Sequence, residues 1–280
     1  MELKFRKVHI DSRFKAAGTH SDFDYELAEP FDCPDGTICY VDNAVIPMSW
    51  NTIDTTNQYL YIAERAGTSA PYTFTVRRLD LVTGYFSGSA LKIALHDQLN
   101  TNLPTGISAN YIVTHSPSTN RIAIAAPANS AFYILTDDDI KNYDNALYTI
   151  DKSNPRSANN VLRHQESESI ITSAQNYVYT DLFTSQFIDI INHHNCYICS
   201  SLASFNTLGP RGQSDIICKV PANTSWGSTI FHNVSSAQDY VDIGKRNISS
   251  IRFSLKDAVG NTINLNGASW SLSLVFAIKE

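Results

Sequence analysis

No stretch of the 280-residue sequence is long and apolar enough to cross a bilayer as a helix. The first ten residues, MELKFRKVHI, lack the apolar run of a secretory signal, so synthesis in a reducing compartment is expected. The five cysteines, Cys33, Cys39, Cys196, Cys199 and Cys218, are accordingly expected as free thiols. The N-x-S/T triplets at Asn223, Asn233 and Asn247 then carry no message. Charge is sparse, 17% of residues, and the net charge of −6 is not that of a general nucleic-acid binder. G-x-S-x-G, G-x-x-x-x-G-K-[ST], G-x-G-x-x-G and the cysteine-protease signatures are all absent, which removes the commonest nucleophile, phosphate and dinucleotide motifs. There is no internal repeat and no low-complexity tract.

What is present is apolar and aromatic: 43% hydrophobic residues, with 14 Tyr, 13 Phe and 3 Trp. A chain this long buries about three quarters of its unfolded surface. Short strands separated by turn residues run along most of it. Phe23, Tyr25 and Leu27 alternate with acids, 37–46 is an apolar run stopped by Pro47, and strands are predicted over 58–63 and 72–81. Further strands are predicted over 110–115 and 121–125 around the turn SPSTN, and over 176–180, 195–202 and 215–220. The clearest alternation comes last: Ile251, Phe253 and Leu255, the turn DAVGN, then Trp270, Leu272, Leu274, Phe276 and Ile278. One segment changes period. Leu91, Leu95, Leu99 and Leu103 recur every four residues, which predicts a helix near 89–103 capped by Ser87 or Ser89. Thr136 and Asp139 form a capping-box pattern for a second helix, and the polar stretch 141–169 reads as a surface excursion. Many short strands and few helices make this an all-β sandwich or barrel with a small α+β excursion. The sandwich is expected over 19–280, with an inserted β-α-β-β region at about 72–160.

Four groups of residues invite a chemical reading. His193, His194, Cys196 and Cys199 have the right softness for zinc, but they crowd into seven residues, and a strand would turn the two thiols to opposite faces. Asp137, Asp138 and Asp139 are able to hold a hard cation, yet acids at a helix start offset its dipole without any ligand. Trp226 and Trp270 would stack sugars in a carbohydrate-binding sandwich, although the phase of Trp270 puts it in the core. Gly244-Lys245-Arg246 reads as a loop with two charges. No catalytic, cofactor or metal residue is assigned. The exception in charge distribution is the N-terminus, where Lys4, Arg6, Lys7, Arg13 and Lys15 fall within fifteen residues and Asp11 sits beside Arg13. Residues 1–18 read as a basic arm, either a solvated terminus or a segment that docks on an acidic partner or on packaged DNA. The bland alternative for Asp11 and Arg13 is a local ion pair.

Four pieces, in order, resemble the penton and minor capsid proteins of Polinton-like viruses, virophages and adintoviruses. They are Ile10-Asp11-Ser12-Arg13 with a small spacer and Ser21-Asp22-Phe23; the strand ending VIPMSWNTI at 45–53, close to that family's IPxSxYxI element, followed by Asn57; the strand, Leu-striped helix and hairpin of 72–125; and FSLKDAVGNTINLNG at 253–267 before Trp270, Leu272 and Leu274. The glycine-rich turn that usually leads into the helix reads Gly84-Tyr85-Phe86-Ser87-Gly88 here. The resemblance implies a jelly-roll β-sandwich and a non-enzymatic capsid subunit, with five copies forming a homopentamer at an icosahedral vertex. It implies the major capsid protein, a double jelly roll, and other minor capsid proteins as partners, in a virion assembled inside the host cell. The alternatives are a minor or cement protein between capsomers, or a carbohydrate-binding sandwich.

Overall fold

The structure, a computed structural model, describes residues 3–67, 70–142, 156–162, 177–203, 207–233 and 240–279. The chain forms two units, one of residues 1–50 and 193–280, the other of 51–192. In chain order the first unit supplies β1 (Leu3–Asp11), β2 (Ala17–Gly18), β3 (Asp22–Cys33) and β4 (Ile38–Pro47). The second supplies β5 (Tyr59–Ala66), β6 (Thr73–Asp80), α1 (Gly88–Asn100), β7 (Ile112–Ser116), β8 (Arg121–Ala125), β9 (Ser130–Ile134), α2 (Asp137–Asn142), α3 (Asn159–Leu162) and β10 (Leu182–Thr184). The chain then returns with β11 (Asn195–Ser200), β12 (Ile216–Pro221), β13 (Thr229–Asn233), β14 (Val241–Asp242), β15 (Arg246–Lys256) and β16 (Ser271–Lys279).

The first unit is two antiparallel sheets, ordered β1-β16-β4-β13 and β12-β11-β15-β3, with β14 extending the first beside β4 and β2 flanking β3. Apart from β11 and β12, which form a hairpin, successive long strands pass from one sheet to the other. That winding is the paired Greek key of an eight-stranded jelly roll. Alternating side chains of both sheets meet inside, where Phe31 of β3 packs edge-on against Phe276 of β16 at 5.0 Å; within one sheet, Phe23 lies 5.7 Å from its cross-strand partner Phe253. Cys33, Cys39, Cys196 and Cys199 are buried and Cys218 is half-buried, and none of the five is in a disulfide.

The second unit fills the connection between β4 and β11. It has two three-stranded sheets, β10-β8-β7 and β6-β5-β9, and a core that receives the leucine stripe of α1: Leu91, Leu95 and Leu99 are all buried. Ser87 caps α1 by accepting from the Ala90 amide at 3.2 Å. The helix stops at Asn100, so Leu103 reaches the same core from the loop beyond. The β-α-β-β region expected at 72–160 lies inside this unit, whose bounds are wider. Asn57, which follows the IPMSW element, is a buried brace that donates to the Thr52 carbonyl at 3.0 Å and accepts from the Asp54 amide at 2.8 Å.

Three sequence expectations change. Residues 177–180 are not a strand: Tyr177 is buried and stacks on Tyr133 at 4.6 Å, and the backbone makes one isolated bridge, Thr180 to Phe132. Of the excursion expected at 141–169, residues 143–155 and 163–169 lie outside the described residues, while Ala158, Val161 and Leu162 are core rather than surface. And residues 3–11 of the basic stretch form a full-length strand of the jelly roll.

Candidate interaction surface

The N-terminal strand β1 is an edge strand zipped to β16 from Leu3 opposite Lys279 to Asp11 opposite Ser271. Its even positions share the face of Ile10, which is 1% exposed, and its odd positions face out, where Phe5 is 61% exposed. The strand ends in a corner built by the Ile-Asp-Ser-Arg residues. Asp11 caps a single 3-10 turn, Ser12–Phe14, by accepting from the Arg13 amide at 2.9 Å. The Arg13 guanidinium closes on the same carboxylate with contacts of 2.6 to 3.0 Å. Ser12 is fully buried; it donates its amide to the Trp270 carbonyl and accepts from the Trp270 amide at 3.0 Å. The Trp270 indole donates to the His20 carbonyl at 2.7 Å. The small spacer has its own reason: Gly18 has φ +92°, and a Cβ there would lie 2.3 Å from the Asp22 carbonyl oxygen. The corner is therefore a structural joint between β1, β3 and β16.

The six charged residues picked out from the sequence separate into three groups. Asp11 and Arg13 pair locally, as the bland alternative had it, and Lys7 pairs with Asp42 at 2.6 Å. Lys15 follows the turn, half-buried. Lys4 and Arg6 lie on the inward-facing parity of β1 and line a cleft of about 1240 Å³. The Asp11 pair has a titration signature. Hydrogen bonds from Arg13 hold the Asp11 carboxyl below the usual carboxylate range, against a smaller upward push from burial. A carboxyl depressed in the folded state stabilises the fold above its unfolded pKa, and that contribution disappears as pH falls through the folded value. Arg13→Ala is expected to move the Asp11 midpoint upward, toward the ordinary value of about 3.9. Carboxyl-carbon NMR reads this directly, and an unmoved midpoint contradicts the pairing.

The cleft joins residues far apart in the sequence. Phe31 and Cys33 of β3, with Pro34 just beyond it, line it from one sheet, and Ile278 of β16 from the other. Arg246, paired with Cys33 at the start of β15, and Lys245 just before it line the cleft beside β3, from the same sheet. The Arg6 guanidinium lies over the Phe31 ring, 4.2 Å from its centroid. Burial pushes the Cys33 thiol up, while the positive charges of Arg246 and Arg6 act against it. Lys245 and Arg246 belong to the stretch that reads in the sequence as a loop with two charges. Only the placement of β15 in the sandwich brings them to Lys4 and Arg6.

The other candidates resolve into structure. Cys196 and Cys199 lie in β11, and both are buried despite their strand spacing, because both faces of that strand are covered and its pairing with β12 shifts between Ile198 and Cys199. Burial pushes each thiol up to about 12, the wrong direction for a thiolate ligand. His193 packs its ring 6.1 Å from Trp50. Among the described residues no group of three or more His, Cys, Asp or Glu is arranged to hold a metal ion. Asp139 completes the capping box, accepting from the Thr136 amide at 3.0 Å and hydroxyl at 2.8 Å; Asp137 accepts from Asn159, and Asp138 pairs with Lys141. Trp270 is 2% exposed, so it presents no sugar platform, whereas Trp226 is 43% exposed and donates to the Trp50 carbonyl at 3.1 Å. No helix of the described residues is long and apolar enough to cross a membrane.

No protein-family model and no curated protein matches the chain. Among solved structures, the mavirus penton protein is similar over 99% of this chain and 100% of its own, at 12% sequence identity and a TM-score of 0.56. A chain in the 3.5 Å cryo-EM structure of the Sputnik virophage covers 99% of this chain and 98% of its own, at 12% identity and a TM-score of 0.43. At such identity the first likeness establishes the fold, an all-β jelly roll with a small helical element.

Proposed function

We propose that the chain is a viral capsid protein, the penton subunit, which assembles as a homopentamer at the vertices of an icosahedral virion. The observation that carries this reading is the end-to-end likeness to the mavirus penton protein, covering both units of this chain. The physical arrangement supports it. A closed ring needs two different surface patches on each subunit that fit one another. Here the two edges of one sheet carry exposed aromatic side chains of the kind enriched at interfaces. Phe5 and Phe14 are 61% and 72% exposed at the β1 edge, and Phe231 is 62% exposed on β13, with Trp226 just before it. The further partners in this reading are a double jelly-roll major capsid protein and other minor capsid proteins. The 51–192 unit is an insertion in the jelly roll, and the chain catalyses no reaction. Native mass spectrometry of the purified chain, with class averages of the same sample, tests the ring. The expected species has five times the 31.1 kDa chain mass and fivefold averages. A monomer at every concentration reached in solution counts against a self-assembling ring.

A further inference from the structure

The cleft beside β1 gathers four cationic side chains, of which Arg6 lies over the Phe31 ring and Arg246 donates to the Ser201 carbonyl at 3.3 Å. Positions 4 and 6 of β1 share the inward face of Val8 and Ile10, where a closed sandwich carries apolar side chains. Here they are Lys4 and Arg6, and Lys245 and Arg246 stand across from them. Among the described residues the lining contains one carboxylate, Asp32, and that group already accepts from the Asn247 side chain at 2.7 Å. Beneath the cations the floor is apolar, formed by Phe31 and Ile278 with Cys33. Along the rim β1 is the edge of its sheet, so every second residue turns its N–H and C=O away from β16. A free backbone edge, a row of inward cations and an apolar floor therefore converge within about 1240 Å³.

We infer that this cleft docks an extended acidic segment of a partner protein, which adds as a strand to the free edge of β1. Such a segment turns alternate side chains toward the sandwich. Its carboxylates then meet Lys4, Arg6, Lys245 and Arg246, and an apolar side chain between them reaches Phe31. A nucleic acid fits less well. Its phosphates gain nothing from an apolar floor and are repelled by Asp32, and the cations converge on one cleft rather than forming a track. The inference rests on the backbone edge and inward side chains of β1, whereas the ring contact proposed above rests on its outward Phe5 and on Phe14 beyond it.

Fluorescence anisotropy on the full-length chain tests it, with a labelled ten-residue peptide of alternating Glu and Val as the probe. Three comparison probes are a peptide with Lys in place of Glu, the Glu peptide N-methylated at alternate amides, and a single-stranded oligonucleotide of equal charge. The Glu peptide is expected to bind saturably and more tightly than all three. The triple variant Arg6→Glu/Lys245→Glu/Arg246→Glu is expected to weaken it by about tenfold or more, as removal of complementary charge at an interface does. Circular dichroism of that variant checks its sheet content, and Lys245→Gln, at an exposed position, gives a smaller loss in the same direction should the triple variant misfold. Equal binding of the N-methylated peptide overturns strand addition. Failure of the Glu peptide to bind, indifference to both sets of substitutions, or tighter binding of the oligonucleotide overturns the acidic-segment assignment.

Discussion

Replacing Glu64 by leucine is expected to destabilise the 51–192 unit by about 3–5 kcal/mol, the usual consequence of leaving a buried charge without its partner. Glu64 on β5 is 1% exposed and Arg77 on β6 is 9% exposed. They sit diagonally across the pair, since Glu64 faces Thr75 and Ile62 faces Arg77. The guanidinium meets both carboxylate oxygens, at 2.6 and 2.9 Å, and Tyr111 donates to Oε1 at 2.8 Å. Arg77 also donates to the Leu99 carbonyl at 2.9 Å and the Thr101 carbonyl at 2.7 Å, acceptors that the end of α1 leaves without helical partners. One ion pair thus fastens the helix to the β5-β6 hairpin. In Glu64→Leu the guanidinium stays buried and uncompensated. The double variant Glu64→Leu/Arg77→Met removes both charges and is expected to lose clearly less than the two single losses added together. Urea midpoints of the full chain read the cycle. A Glu64→Leu loss within about 0.5 kcal/mol, the range of ordinary surface changes, contradicts the role given to the pair.

Trp270→Ala is expected to cost the jelly-roll unit about 3–5 kcal/mol, the range for deleting a large buried aromatic. The indole is 2% exposed and meets the Phe23 ring edge-on at 5.9 Å. Its deletion leaves a cavity beside Phe23 and takes away the donor to the His20 carbonyl. Trp270→Phe keeps most of the apolar volume and loses that hydrogen bond, so its cost is expected to be smaller, about 1–2 kcal/mol. Hydrogen exchange locates the damage: in Trp270→Ala the amides of residues 11–14, seated by the Ser12–Trp270 bonds, are expected to lose protection first. Unchanged protection there contradicts the account of the corner as a joint.

The parts that could be read in the sequence were those with an unmixed period. In the last two strands large apolar residues recur at every second position, Ile251, Phe253 and Leu255 and then Leu272, Leu274, Phe276 and Ile278, and the leucine stripe of α1 names its buried face. β1 escaped because its apolar residues change parity, Phe5 on one face and Val8 and Ile10 on the other. The change occurs where Lys4 and Arg6 face the cleft, so the feature that hid the strand is the same one that makes the site. β13 escaped because Ile230 is its one buried residue, as suits a sheet edge. Lys245 and Arg246 carried no pattern at all. Their relation to β1 exists only through β3 and β16, which lie between them in the sandwich. The Ile-Asp-Ser-Arg element was visible as residues, but its work in holding Trp270 was not, since the partner lies at the other end of the chain.

A reconstruction of particles containing this chain, at side-chain resolution, tests the central claim most directly. The predicted result is density for the jelly-roll unit at the fivefold vertices and nowhere else in the shell, with the β1 edge of each copy facing a neighbouring protein. Density between capsomers away from the vertices, or β1 and β13 edges both open to solvent, would contradict it.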